Sequence, residues 1–313
     1  MSKYTIGVDV GGRSMKFGLF DDKGKLLDKS NIPTRTQNQG ENILPDLTEH
    51  LKKIIEKHEL TKENLTGIGI GMPGPILNEK IIKTAVNLGF KDNVNVADYV
   101  SDKLDFPVKV ANDANVAALG EVWKGAAEVY NNVVMVTLGT GVGGGVILDG
   151  KILAGVTGSG GEIGHMPILE EPLEWTCGCG GNRCLEQVAS ATGIERLAQD
   201  YLFENEEESS LRDLDYIDAR EIFQAAQDGD DIAVKVVEEY FENLARGLAI
   251  IAAVVDPEAF VLGGGVSNAG EFLLDGVREA YRKFAFPVTK DAKFFLAQLG
   301  NDAGMYGAAK MML

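Results

Sequence analysis

One pattern occurs twice in this chain. Tyr4–Val10 reads as a buried strand, Gly11–Ser14 as a turn, Met15–Phe20 as a second strand and Asp21–Lys25 as the turn that closes it. Later, Val133–Leu138 predicts a strand, Gly139-Thr-Gly-Val-Gly-Gly-Gly145 a glycine turn and Val146–Leu148 a strand. Asp149-Gly-Lys-Ile-Leu ends it much as Asp21-Asp-Lys-Gly-Lys-Leu-Leu ends the first, and Asp9 aligns with Thr137. A unit built twice implies two similar α/β halves. Glycine turns at strand ends bring backbone N–H groups close to a phosphate, because no Cβ stands in the way. Two such halves suggest a nucleotide clamped in a cleft between them. In the first turn Lys16 would face the phosphate and Asp9 its metal, although this segment alone also reads as an ordinary hairpin.

Gly139, Gly141 and Gly144 match the glycine spacing of a dinucleotide fingerprint. That fingerprint needs a helix next, with its N-terminus on the pyrophosphate. Here the β-rich run Gly145-Val-Ile-Leu148 follows, which argues against a nicotinamide-dependent dehydrogenase.

The stretch Ser159–Gln187 holds all three cysteines, Cys177, Cys179 and Cys184, and one of three histidines, His165. An odd number of thiols cannot all pair as disulfides. Three thiolates and an imidazole suit a closed tetrahedral zinc site, whereas the surrounding glycines suit a packed core of small apolar side chains poorly. Four ligands leave no open position, so the ion would be scaffolding. Glu162 and Glu186 flank the cluster, and a metal knot would hold both carboxylates over a polar pocket.

Between the repeats, Leu44–His58 predicts an amphipathic helix, with His50 and His58 expected on its surface. Gly67–Gly71 predicts a strand entering the rigid turn Met72-Pro-Gly-Pro75, and Ala85-Val-Asn-Leu-Gly89 a polar loop displaying Asn87. Pro107–Ala111 predicts a strand that ends at Asn112-Asp113-Ala-Asn115, before a helix running through Trp123. Asp113 is the candidate for chemistry. It also suits a helix N-cap, and the two roles are compatible at the strand ends of an open α/β sheet. After the cysteines, Leu185–Tyr201 reads as one helix and Glu204–Asp218 as an acidic, irregular surface insertion. Ala219–Ala226 and Ile232–Val255 read as helices, and Phe260-Val-Leu262 as a strand into a third glycine turn. A small-residue helix, Met305–Met312, ends the chain.

The 313 residues suffice for two domains, and a net charge of −17 disfavours nucleic acid and anionic membranes as partners. Clustered thiols suit a reducing cytoplasm, and the N-terminus carries no signal-peptide core. The apolar run Leu244–Val255 is interrupted by Arg246 and is too short to span a bilayer.

Taken in order, Asp9-Val-Gly-Gly, Asn112-Asp-Ala-Asn, Leu138-Gly-Thr-Gly-Val-Gly, Gly161-Glu-Ile-Gly-His165, the cysteine cluster ending in Glu186, and Gly263-Gly-Gly-Val resemble the ROK family of sugar kinases and repressors over the whole chain. The wording around Val86-Asn-Leu-Gly and Asn112–Glu121 is most similar to that of its bacterial glucokinases. The resemblance implies a duplicated ribonuclease-H-like, actin-like α/β fold with two domains around a cleft. It divides the chain into residues 1–115, completed by a C-terminal helix at about 300–313, and residues 116–299 with the zinc site. It implies ATP- and Mg²⁺-dependent phosphorylation of a hexose at its 6-hydroxyl, with glucose expected. N-acetylmannosamine, N-acetylglucosamine and fructose are the alternatives.

In the family's pattern Asp113 matches the catalytic base. Gly74, Asn87, Asn112, Asp113, Glu162, His165 and Glu186 match sugar-binding positions. Asp9, Gly11, Gly12, Ser14, Lys16, Gly139, Thr140, Gly141 and Gly264 match the nucleotide site, and His165, Cys177, Cys179 and Cys184 the structural zinc. One nitrogen of His165 would bind zinc and the other a sugar hydroxyl. Dimers are common in the family, and a homodimer is expected. The sequence departs from the family at Arg183, where a glycine precedes the third cysteine, and at Ser14, where threonine is common. A non-catalytic sugar-sensing repressor is the rival, but it would carry a DNA-binding domain ahead of the first strand.

Overall fold

The computed structural model describes residues 3–313. They form two compact units, residues 3–133 with Gly145–Gly161 and Gln298–Leu313, and Val134–Gly144 with Glu162–Ala297. In the first sheet β1 (Tyr4–Val10), β2 (Ser14–Asp21) and β3 (Leu26–Pro33) are antiparallel neighbours, and β4 (Leu65–Met72) lies parallel to β1. A small three-stranded sheet follows, β5 (Ile76–Leu77), β6 (Ile81–Ile82) and β7 (Val94–Asn95), and then β8 (Val108–Asn112) joins β4 in parallel. The order is β3-β2-β1-β4-β8. The second large sheet contains β9 (Val133–Leu138), β10 (Val142–Leu148), β11 (Lys151–Ile152), β12 (Ala259–Gly263) and β13 (Lys293–Leu296), in the order β11-β10-β9-β12-β13. Both sheets follow one plan: third, second, first, then the two later strands. The duplication read from the hairpins therefore extends to the whole sheet. The run after Gly141 is β10, as the absence of a helix signal there required.

The core of the first unit forms where the apolar residues of β1, β4 and β8 meet the helices Ile43–Lys57 and Val96–Leu104. On the other side the terminal helix Ala303–Lys310 rests directly on backbone. A Cβ at Gly7 would stand 1.9 Å from the Met305 carbonyl oxygen, and one at Gly69 1.7 Å from that of Ala308. The same helix packs on Asp113–Lys124, where a Cβ at Gly307 would meet the Val116 oxygen at 1.7 Å. No other residue type permits this approach. The packing holds the whole of Asp113–Lys124 in the first unit, and that helix crosses the residue-115 boundary drawn from sequence.

The expected helix Leu185–Tyr201 is broken at Ser190, whose backbone is extended at φ −95° and ψ 173°. Ser190 Oγ accepts from Gly193 N–H and caps Ala191–Glu204, leaving Glu186–Ala189 as a single turn. The acidic stretch 204–218 is tied down, not loose. Arg212 donates to the carbonyls of Leu202, Asn205 and Glu207, and Asp230 accepts from Ser209 and Ser210. Among the described residues, no helix is long and apolar enough to cross a membrane.

His50 and His58 are not free surface residues. His58 Nε2 lies 2.7 Å from Asp28. His50 Nε2 lies 2.8 Å from Ser30 Oγ, and its ring stands 4.5 Å from that of Phe17. Burial lowers the His50 pKa below the ordinary 6.5; Lys53 adds to this and Asp28 opposes it. Below about pH 6.5 the unfolded chain then binds more protons at this position than the folded one, so folding stability falls as pH falls. In urea titrations at pH 7.5 and 5.5, the wild type should lose more stability than His50→Gln. Equal losses would show that His50 does not carry this linkage.

Candidate active site

β1, β4 and β8 are parallel, so their carboxyl ends share one edge, the edge where open α/β sheets bind ligands. Asp9 pairs with Gly71, and Met72 with Asn112, which sets Asp9, the turn at Gly74 and Asn112-Asp113 along it. Gly74 takes φ +100°, and a Cβ there would stand 2.2 Å from the Thr84 carbonyl. Asn112 Nδ2 donates to the Gly74 oxygen at 3.3 Å, linking the two turns. Asn112 is also the helix cap: its Oδ1 accepts from Ala114 N–H and Asn115 N–H. Asp113 is the first residue of the helix, with Oδ1 accepting from Ala114 N–H at 2.9 Å. Since Asn112 does the capping, Asp113 is not needed for that role.

At the neighbouring turn Lys16 Nζ sits 3.2 Å from Asp9 Oδ2 and donates to the Asn301 carbonyl at 2.8 Å. Lys16 is thus held beside Asp9 by the segment that starts the terminal helix. Gly11 N–H bonds the Ser14 carbonyl at 3.0 Å, closing the turn. Gly12 is exposed, and its nearest outside neighbour is the backbone oxygen of Asn87, which lies exposed on the short helical turn Val86–Leu88.

In the second unit Gly139 N–H bonds the Gly141 carbonyl, leaving Thr140 exposed at the tip. The Gly139 carbonyl accepts from Ala191 N–H at 2.8 Å, so the break at Ser190 anchors this turn. Glu186 Oε2 accepts from Val142 N–H at 3.1 Å and lies where a Cβ on Gly141 would stand. Gly264 has φ +85° and abuts the Leu138 carbonyl, while Gly265 lines a cavity of about 550 Å³ together with Gly139, Thr140, Phe223, Gln224 and Asn268. The part played by Phe223 and Gln224 was not legible, because their helix, Ala219–Gln227, reads as an ordinary amphipathic one. A cavity of about 590 Å³ in the first unit lies by Lys3, Leu65 and Pro107, at the amino ends of β1, β4 and β8, and includes none of the motif residues.

His165, Cys177, Cys179 and Cys184 come together with their ligand atoms within 4.8 Å of one another. One imidazole nitrogen and three sulfurs at this spacing fit a tetrahedral ion of the zinc type. His165 Nδ1 faces Cys177 Sγ at 3.4 Å, while Nε2 points toward Glu162 Oε2 at 3.9 Å. Burial pushes the Cys177 thiol up to about 12, with Glu186, which accepts from it at 3.2 Å, adding to the rise. Cys179 is shifted down, chiefly by the N–H of Gly181.

Arg183 sits in the loop with an ordinary backbone. It is absent from the residues with positive φ, so its backbone needs no glycine, and the sharp bend falls at Gly180 with φ +89°. The Arg183 carbonyl accepts from Ile168 N–H at 2.9 Å, next to the β-bridge between Pro167 and Cys184. Gln187, buried beneath the loop, accepts from Cys184 N–H and donates to the Trp175 carbonyl. The guanidinium of Arg196 stacks 3.6 Å from the Trp175 ring.

A model of the ROK family matches residues 5–313. The chain belongs to the ROK family. A glucokinase from Halalkalibacterium halodurans is 41% identical over 310 residues, covering 97% of this chain and 93% of its own. A ROK hexokinase from Thermus thermophilus has a TM-score of 0.81 at 33% identity, covering 98% of this chain and 96% of its own. A ROK family glucokinase from Streptomyces griseus, solved in complex with glucose and AMPPNP, has a TM-score of 0.74 at 33% identity over 98% of both chains. The duplicated sheet of this ROK protein is the actin-like fold of these relatives.

Proposed function

We propose that this protein is an ATP-dependent hexose kinase that phosphorylates glucose at its 6-hydroxyl. The observation that carries the reading is the convergence of Asp9, Gly74, Asn112 and Asp113 at the carboxyl ends of the parallel strands β1, β4 and β8 in a ROK chain. It is supported by the 41% identity to a named glucokinase and the likeness to a glucokinase bound to glucose and an ATP analogue.

In this reading Asp113 accepts the proton of the 6-hydroxyl as that oxygen attacks the γ-phosphorus in line. Gly74, Asn87, Asn112, Glu162, His165 and Glu186 hold the sugar. Gly11, Gly12, Ser14, Lys16, Gly139, Thr140 and Gly141 take the phosphates, and the cavity at Gly265 and Phe223 takes the adenosine. Asp9 would hold the Mg²⁺ that accompanies ATP, and that ion would neutralise charge developing on the transferred phosphoryl group. The transition state is loose, so placing the hydroxyl against the phosphate accounts for most of the acceleration. The cysteine cluster with His165 holds a structural zinc.

The test is ADP release by the zinc-replete protein with ATP and Mg²⁺, using glucose, mannose, fructose, N-acetylglucosamine and N-acetylmannosamine. Glucose should give the highest kcat/KM. A higher value for another sugar would reassign the substrate, and turnover of none would overturn the kinase reading.

A further inference from the structure

Glu121 has no part in the chemistry described so far, yet it is fully buried. A buried carboxylate is costly unless its charge is met by hydrogen bonds. The last turn of a helix, where Glu121 sits in Asp113–Lys124, also disfavours negative charge. Glu121 nevertheless makes no ion pair among the described residues, and its bonds all come from backbone N–H groups. Oε1 accepts from Gln298 at 3.0 Å and Leu299 at 2.8 Å; Oε2 accepts from Ala126 at 2.8 Å and Gln298 at 3.1 Å. Gly125 leaves room for this: a Cβ there would stand 2.0 Å from Oε2.

These bonds join two parts of the first unit. One is the helix whose first residue is Asp113. The other is the segment starting at Gln298, which carries the Asn301 carbonyl that holds Lys16 and, at Gly304, the backbone against Asp9. Ala126 N–H, two residues past that helix, continues the first part, and the N–H groups of Gln298 and Leu299 belong to the second, so one carboxylate closes the joint. We infer that Glu121 is a positioning residue that fixes the Asp113 helix in register with the segment holding Lys16 and Asp9. The inference rests on the kinase reading above, in which Asp113 serves the acceptor hydroxyl and Lys16 and Asp9 the phosphate side. Loss of the joint changes the spacing between those two sides, while Asn112 stays bonded to the Gly74 carbonyl and none of the partners of Glu121 is a sugar-binding residue in that reading.

Two variants test this. Glu121→Gln presents an amide N–H₂ to backbone donors and breaks part of the joint. Leu299→Pro deletes one donor and leaves the carboxylate; Leu299 has φ −78°, which proline adopts. Turnover is measured per folded molecule, well below each unfolding midpoint, and glucose affinity by calorimetry. Both variants should lose about a hundredfold in kcat, the scale of an ångström-sized misplacement, while binding glucose with wild-type affinity. A purely structural role would lower the unfolding midpoint and leave kcat unchanged, and a folded variant at wild-type kcat overturns the inference alone. If Glu121→Gln does not fold, Leu299→Pro decides. A wild type that phosphorylates no hexose overturns this inference together with the function it rests on.

Discussion

Asp113→Asn should lower kcat for glucose phosphorylation by about 10³-fold, within the range that a positioned general base contributes. Asparagine matches aspartate in shape but cannot take the hydroxyl proton as the oxygen attacks. The fold should survive, because the helix is capped by Asn112, whose Oδ1 holds the N–H groups of Ala114 and Asn115 whatever stands at position 113. One cost is a favourable negative charge in the first helical turn, worth about 0.3–1 kcal/mol. Steady-state kinetics, glucose affinity and the unfolding midpoint should therefore part company: kcat collapses while the other two barely move. Near-wild-type kcat in the purified variant would remove Asp113 as the base. A joint loss of kcat and glucose affinity would make it a sugar-binding group first.

The parts of this fold legible in the sequence were those whose signal is local. The hairpins announce themselves by an apolar run, glycines and another apolar run, and both are present as β1–β2 and β9–β10. The cysteine cluster announces itself by ligand type and spacing, and the donors do meet. What escaped depends on contacts distant in sequence. β3 reads Leu26-Leu-Asp-Lys-Ser-Asn-Ile-Pro33 and is largely polar, yet pairs with β2 because an edge strand needs to bury only part of its side chains. The break at Ser190 follows from a side-chain cap and from the Gly139 carbonyl, and neither disturbs the helical periodicity around it. His50 falls on an amphipathic helix like any surface residue, and only the arrival of Phe17 and Ser30 makes it partly buried. Arg183 shows the reverse case. It departs from a family motif, but its backbone does not use the left-handed conformation that favours glycine, so the departure brings no strain of that kind.

Cys179→Ala should remove zinc and weaken glucose binding in one step. The choice of thiol matters. Cys177 and Cys184 are buried, so truncating either also opens a void, whereas Cys179 is exposed and contributes no apolar core. A large effect at position 179 therefore reports on the cluster, where Cys179 also accepts from Gly181 N–H, and not on a void in the core. With Nδ1 of His165 on the metal, Nε2 must carry the ring proton and present it as a donor on the side of Glu162. The ion would also replace the proton that Cys177 gives to Glu186 at 3.2 Å, which leaves Val142 N–H as the bond that holds that carboxylate. Zinc would thus hold the tautomer of His165, which lies in the set that binds sugar in this reading. Losing such outer support costs about 10- to 100-fold in comparable metal sites. Zinc should fall from one per chain to near zero by elemental analysis, and glucose affinity should drop at least about tenfold on that scale. Because the ion performs no chemistry, saturating glucose should restore much of the turnover. Active wild-type protein free of zinc would remove the metal from the account. Wild-type glucose affinity in a zinc-free Cys179→Ala would show that the loop holds His165 and Glu186 without it.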